Sequence, residues 1–449
     1  MKFIPNSSIK NSMLKDIGLN KIEDLFYDIP QEIKIKDLNL QDGLSQQDTI
    51  KKLRSIACKN KSYNEITSFV GGGIKPHFIP SAVKSIISRS EFYTAYTPYQ
   101  SEASQGFLQA MFEYQSIIAE LTGMDIANCS LYDGVTALGE AALMCTRINR
   151  KKTFVIPASI SNDKKSVLKN YTKGAELEIK EIPFDFKTGK IDLDQLKKNV
   201  DENTTGVYIE NPNFFGIFED EIDTISKIVK DAGSLLVVGI DPISLGIVKS
   251  PGDYYADIAI GEGRALGNPM SFGGCSLGIF ACKKEFLRQM PGRIIGLTKD
   301  AEGRSAFTMA LQTREQHIRR GRATSNICTN EGLCVLAAIS YISWYGSSGF
   351  EELSKLNFEN GQKLAKKICS VNGFEMKFNS THFNEFVIKC NADPKKINKK
   401  LLEKNIQGGL ILNNQHPELK NCMLLGITEI HNDSEIEQLI SALKEVSYV

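Results

Sequence analysis

Leu235-Leu-Val-Val-Gly-Ile240, closed by Asp241-Pro-Ile-Ser244, is an uncharged run rich in branched side chains that ends on a proline turn. A short continuous apolar run of this kind reads as a strand buried on both faces, as in a parallel sheet covered by helices. The same signal recurs on either side of it, in Phe154-Val-Ile-Pro157, Glu176 to Ile182, Gly206-Val-Tyr-Ile209 and Asp257-Ile-Ala-Ile260. Helix-like segments near 163 to 172, 192 to 200 and 221 to 231 lie between these runs. The alternation predicts an α/β domain whose mainly parallel sheet is wrapped by helices, with ligands at the carboxyl ends of the strands.

Beyond this centre the pattern changes in both directions. Residues 1 to 60 read as an arm of short helices, with Lys21 to Tyr27 stopped by Pro30 and Ser45 capping a stretch through Ala57, and with no core of its own. Residues 61 to 319 form the large domain. Residues 320 to 449 read as a smaller α+β domain, with a long helix at 330 to 371, strands at Phe383 to Lys389, Gly409 to Leu412 and Met423 to Ile427, and a closing helix at 433 to 446.

Composition narrows the function. Lys and Arg number 54 against 53 Asp and Glu, a formal net charge of +1, so no global field draws nucleic acid or an anionic membrane. The longest apolar stretch, Leu333 to Tyr345, is shorter than the roughly 20 residues of a spanning helix, and Met1 to Lys15 lacks the apolar run of a secretion signal. The expected compartment is the cytosol. Ten cysteines without a CxxC pair and five histidines without ligand spacing point to buried free thiols rather than to disulfides or a metal.

Several local patterns invite a chemical reading. Gly261-Glu-Gly263-Arg-Ala-Leu-Gly267 imitates a dinucleotide loop, but its spacing is off by one and Asn268-Pro269 follows where a helix must open. Tyr132-Asp-Gly134-Val-Thr136 precedes a helix rich in Ala and Leu; Gly134 and Thr136 suit a phosphate at a helix N-terminus, whereas Asp133 suits a plain N-cap. Asp241 can face a ligand cation at its strand end or simply begin a turn. In Ser88 to Gln100 the rings of Phe92, Tyr96 and Tyr99 are helically spaced, but Pro98 disfavours helix and the tract reads as extended or irregular chain. Aromatic residues on such chain serve a site, an interface or loop packing. Arg314-Glu-Gln-His-Ile-Arg-Arg-Gly-Arg322 carries four arginines against one glutamate, as a solvated face or as a dock for an acidic partner.

Together these segments resemble one family, glycine decarboxylase, the P-protein of the glycine cleavage system, in its split form and on the side of the first subunit. The resemblance rests on Tyr93-Thr-Ala-Tyr-Thr-Pro-Tyr-Gln100 with Ser101-Glu-Ala-Ser-Gln-Gly106, and on Glu120-Leu-Thr-Gly-Met124 with Tyr132-Asp-Gly134. It continues through Asp241-Pro-Ile-Ser-Leu-Gly246, Gly261-Glu-Gly263 with Ser271-Phe-Gly-Gly274, and Arg314 to Arg320 with Ala323-Thr-Ser-Asn-Ile-Cys-Thr-Asn330. It implies the large fold of pyridoxal-phosphate aminotransferases (fold type I). It also implies a reaction in which glycine joins pyridoxal phosphate, loses carbon dioxide, and passes its aminomethyl group to the lipoyl arm of the H-protein.

One departure shapes the rest. Related active chains carry a His-Lys pair about two dozen residues after the strand-end aspartate, and this chain has Arg264-Ala265. Lys249 is the only lysine between Asp241 and Lys283, and it falls too early, in a Lys-Ser-Pro-Gly turn. The resemblance therefore implies that the covalent lysine, and with it the cofactor, belongs to a second subunit in an α2β2 assembly. Asp241, Gly134 and Thr136 would be remnants of a duplicated site, while Tyr93, Tyr96, Tyr99 and Arg89 would reach across an interface into the partner's pocket. Two alternatives stand beside this expectation: a self-sufficient pyridoxal enzyme using Lys249, and a purely structural subunit.

Overall fold

The computed structural model describes residues 7–35 and 38–446, in two compact units, Met1–Lys61 and Ser62–Val449. In the first unit the sequence 21 to 27 forms a 3-10 turn, Ile22–Phe26. Helix α1 (Gln46–Ala57) starts where Ser45 accepts the Asp48 N–H at 3.1 Å. Among the described residues of this unit Leu14 alone is buried, so the arm has no core of its own.

The second unit is built on seven strands: β1 (Ile126–Ala127), β2 (Thr153–Pro157), β3 (Glu178–Ile182), β4 (Thr204–Asn211), β5 (Leu235–Ile240), β6 (Ile258–Glu262) and β7 (Gly278–Cys282). Their order is β1-β7-β6-β5-β4-β2-β3. The run β6-β5-β4-β2-β3 is parallel, and β7 pairs antiparallel with both β6 and β1. Helices α2 (Gln105–Thr122), α3 (Gly134–Asn149), α4 (Asn162–Thr172), α5 (Leu193–Asn199) and α6 (Ile222–Asp231) accompany it. Alternate residues of each strand enter different cores. Val155, Val207 and Val238 pack with α2 and α6, whereas Phe154, Ile156, Tyr208 and Val237 pack with α3 and α4. Burial on both faces is why these strands show no polar alternation.

Helix α7 (Gly332–Cys369) is long and apolar enough by length and composition to cross a membrane, yet half of its apolar window is buried inside the fold. It is also not one helix: Gly346 (φ 64°, ψ −177°) breaks it after Tyr345. Its first part joins the core of the large sheet, and Leu364, Ala365 and Ile368 in its last part join a second core. That core lies under a four-stranded antiparallel sheet made of β10 (Phe374–Met376), β11 (Glu385–Cys390), β12 (Leu410–Ile411) and β13 (Cys422–Gly426), in the order β10-β11-β13-β12. A separate hairpin joins β8 (Ile294–Lys299) to β9 (Ser305–Ala310). Helix α8 (Asp433–Val446) closes the second core through Ile436, Leu439 and Leu443. Of the ten thiols, Cys129, Cys145, Cys282, Cys334, Cys390 and Cys422 are buried as expected, whereas Cys58, Cys275 and Cys328 are exposed.

Candidate functional site

The carboxyl ends of β4, β5 and β6 open into a cavity of about 280 Å³, where a doubly wound sheet places its ligands. Asp241 stands at the end of β5. Its Oδ1 accepts the Ile243 N–H at 3.0 Å, a turn bond, and its other oxygen has no donor among the described residues. At the end of the neighbouring β6, Glu262 Oε2 accepts the Gly134 N–H at 3.0 Å, and Oε1 accepts the N–H groups of Arg264 and Leu277, each at 3.0 Å. Burial pushes the Glu262 carboxyl above its ordinary range, against the pull of these N–H groups.

This geometry resolves the reading of the helix that follows Asp133. Asp133 is an N-cap: its Oδ1 accepts the Thr136 N–H at 2.6 Å, and Thr136 Oγ1 accepts the Asp133 N–H at 3.3 Å. A Cβ added at Gly134 would lie 2.9 Å from the Glu262 nitrogen. The start of α3 is thus pressed against β6, and two of its N–H groups are already bound to carboxylates.

The opposite wall is made by residues that sequence patterns did not single out. Glu385 of β11 accepts the N–H groups of Gly72 and Gly73 at 2.6 and 3.0 Å and pairs with Lys75 at 3.2 Å. Lys164 pairs with Glu210, which also accepts the Tyr208 hydroxyl at 2.8 Å. Burial works against the Lys164 charge, but Glu210 outweighs it and holds the ammonium above its usual pKa. Lys75, Lys164 and Glu385 come from three distant segments, so no local spacing announces them.

Arg264 occupies the place just past β6. It is 6% exposed, and its guanidinium donates to the carbonyls of Met270 (3.1 Å) and Gly274 (3.4 Å) and to the Ser276 hydroxyl. Its Nε is buried without an acceptor. Lys249 is exposed on its turn and does not line the cavity.

The tyrosine tract does not line the cavity either. Ser90–Tyr93 is one helical turn, where extended chain was expected: the Arg89 carbonyl accepts the N–H groups of Phe92 and Tyr93 at 3.1 and 2.9 Å. The constraint from Pro98 acts on Thr97 only, beyond that turn. Tyr93 and Tyr96 are 67% and 85% exposed, and Arg89 pairs with Glu91 at 2.7 Å on the surface. Tyr99 is held by the buried Arg293, 5.4 Å from its ring centroid and 3.2 Å from its hydroxyl. Its ring centroid is 6.2 Å from that of His317, which brings the aromatic tract beside the basic one. Arg314 turns inward, donating to the carbonyls of Met290 and Gly292, while Arg319, Arg320 and Arg322 are exposed.

A mainly parallel sheet with a strand-end aspartate, a helix N-terminus lining the same cavity and a smaller antiparallel sheet are the features of the fold type I class of pyridoxal-phosphate-dependent enzymes. Solved structures agree: a sphingosine-1-phosphate lyase of Burkholderia pseudomallei superposes with TM-score 0.67 at 14% identity, covering 93% of this chain and 94% of that one. At that identity the likeness concerns the fold alone. The chain belongs to the glycine cleavage system P-protein family, whose model matches residues 1–443. It is 49% identical to a probable glycine dehydrogenase (decarboxylating) subunit 1 of Thermococcus onnurineus and 47% to one of Pyrococcus horikoshii, over 99% of each pair of chains. A crystal structure of glycine decarboxylase (P-protein) in inhibitor-bound form matches with TM-score 0.91 and 37% identity, covering 99% of this chain and all of that one.

The cofactor implied by this fold does not fit the cavity of this chain. No lysine stands at the end of β6, and the two that line the cavity, Lys75 and Lys164, are each engaged by a glutamate. Where a phosphate would meet the start of α3, the Gly134 and Thr136 N–H groups are already taken by the Glu262 and Asp133 carboxyl groups, which removes donors that a phosphate needs.

Proposed function

We propose that this chain is subunit 1 of a glycine dehydrogenase (decarboxylating), the oxidoreductase that decarboxylates glycine and transfers the aminomethyl group to the lipoyl arm of the H-protein. A second, lysine-bearing subunit holds the pyridoxal phosphate, in an α2β2 assembly working in the cytoplasm. The observation that carries this reading is near-complete coverage by relatives named subunit 1, joined to a cavity in which Arg264-Ala265, and no lysine, follows the end of β6. Asp241, Gly134 and Thr136 are read as remnants of a duplicated site, and Tyr93, Tyr96, Tyr99 and Arg89 as groups lent to the partner's pocket. The division into an arm, a large domain to 319 and a small domain from 320 belongs to the same proposal.

Co-expression with a lysine-bearing partner tests it. The chain alone should neither decarboxylate glycine nor retain label after borohydride reduction with pyridoxal phosphate, whereas the complex should do both, with the label mapped to the partner. A label on Lys75, Lys164 or Lys249 of this chain would overturn the assignment. A complex in which this chain is dispensable would favour the structural-subunit reading.

A further inference from the structure

The cavity that excludes the phosphate cofactor is not thereby empty of purpose. Its far wall is internally neutral, because Lys75 and Lys164 are matched by Glu385 and Glu210. At the start of α3, Glu262 and Asp133 are satisfied by backbone N–H groups. Asp163 also lines the cavity but is open to solvent, and two less exposed charged groups are left. Asp241 has only a turn N–H on one oxygen, and no cation pairs with it among the described residues. Arg264 bonds to two carbonyls and a hydroxyl, has no carboxylate in an ion pair among the described residues, and keeps a buried Nε without an acceptor.

These two groups belong to the ends of neighbouring strands. Strands β5 and β6 pair in parallel, with Ile240 opposite Gly261, and adjacent strands run about 4.8 Å apart. Asp241 and Arg264 therefore sit at the ends of adjacent strands, both lining one cavity, with opposite charges and no salt bridge between them. A buried guanidinium without a carboxylate in an ion pair, and a half-buried carboxylate without a cation, are costly unless something completes them. A phosphate ester is disfavoured by Glu262 and Asp133, a simple cation leaves Arg264 unanswered, and a simple anion leaves Asp241 unanswered. A short zwitterion answers both, and Val135, Phe214, Ile240 and Pro242 supply apolar contact beside it.

We propose that this cavity binds a small α-amino acid as a zwitterion, without covalent attachment, its ammonium on Asp241 and its carboxylate on the Arg264 guanidinium. The site lies at the carboxyl ends of this chain's own strands and is lined by this chain's residues. Binding here does not require that the decarboxylase reading be right, since it is measured on the isolated full chain without a partner.

Titration calorimetry of the full chain with glycine and with L-alanine tests it, with methylammonium, acetate and inorganic phosphate as matched probes. Saturable binding of an amino acid is expected, at least about tenfold tighter than either half-molecule, a margin of one unit in log Kd. Asp241→Asn keeps the oxygen that accepts the Ile243 N–H, so it should fold normally and bind about ten to a hundredfold more weakly. Arg264→Lys should also weaken binding, and its melting curve reports whether the loop it supports has stayed in place. Failure of both amino acids to bind, undiminished binding to Asp241→Asn, or tighter binding of phosphate than of glycine would each overturn the proposal.

Discussion

Tyr96 carries its ring almost entirely in solvent, and no contact inside the chain explains it. Tyr99, three residues on, is pinned by Arg293 through both ring and hydroxyl. The two should therefore respond differently to loss of the hydroxyl. Tyr96→Phe in a complex with a lysine-bearing partner should keep the assembly and its absorbance, and lose about ten to a thousandfold in glycine decarboxylation, the range of one positioned acid–base or electrostatic group. Full activity in both Tyr96→Phe and Tyr96→Ala would reduce the tract to packing. Glu219 gives a second test at this scale. It is buried, accepts the Ile191 N–H at 3.1 Å and the Asn213 amide at 3.3 Å, and burial raises its pKa to about 7. The folded state thus holds this proton more tightly than an unfolded chain with its ordinary value near 4.3. Its contribution is full below that value and is lost as pH rises through about 7, by something of the order of 3 kcal/mol. Thermal melts of wild type should fall between pH 5 and 8 more steeply than those of Glu219→Gln; parallel curves would refute the assignment.

At the level of elements, what could be read from the sequence followed period and punctuation. Leu235–Ile240 is a strand over the residues its apolar run occupies, and Asn162–Thr172 and Ile222–Asp231 are helices where the pattern placed them. The break at Gly346 was passed over although Gly346-Ser-Ser-Gly349 is a loop-type cluster, because apolar helical spacing continues on both sides of it, through Tyr345 and from Phe350. Nor was the junction at Gly216 legible. That residue follows β4 with φ +81°, and a Cβ there would fall 1.9 Å from the Glu385 carbonyl oxygen on β11. Only glycine satisfies both the conformation and the approach. Gly216→Ala should destabilise the chain by about 3 kcal/mol or more, combining left-handed strain with overpacking. It should also disturb the Lys75–Glu385 pair, and an unchanged urea midpoint would contradict this.

For the whole molecule, a formal charge of +1 hides a local arrangement. Arg319, Arg320 and Arg322 are exposed beside the tyrosine tract, while Arg314, which belongs to the same run of sequence, is spent on the carbonyls of Met290 and Gly292. Reversing the three exposed charges should slow association with an acidic carrier, with a reduced salt dependence of the rate and no change in folding. Carrier saturation kinetics that do not move would return the cluster to a solvated face. The aromatic and basic tracts were visible separately in the sequence; that they meet depends on Arg293, Tyr99 and His317, which no local spacing connects.

Glu262 has a bearing on redesign as well as on chemistry. With a carboxylate built into the start of α3, the absence of a lysine at the end of β6 is not repaired by one substitution. Ala265→Lys alone would return an amine to the strand end but leave the anion seat taken, and borohydride labelling with pyridoxal phosphate should stay negative. Positions 262 and 265 would therefore have to change together before this chain could hold such a cofactor by itself.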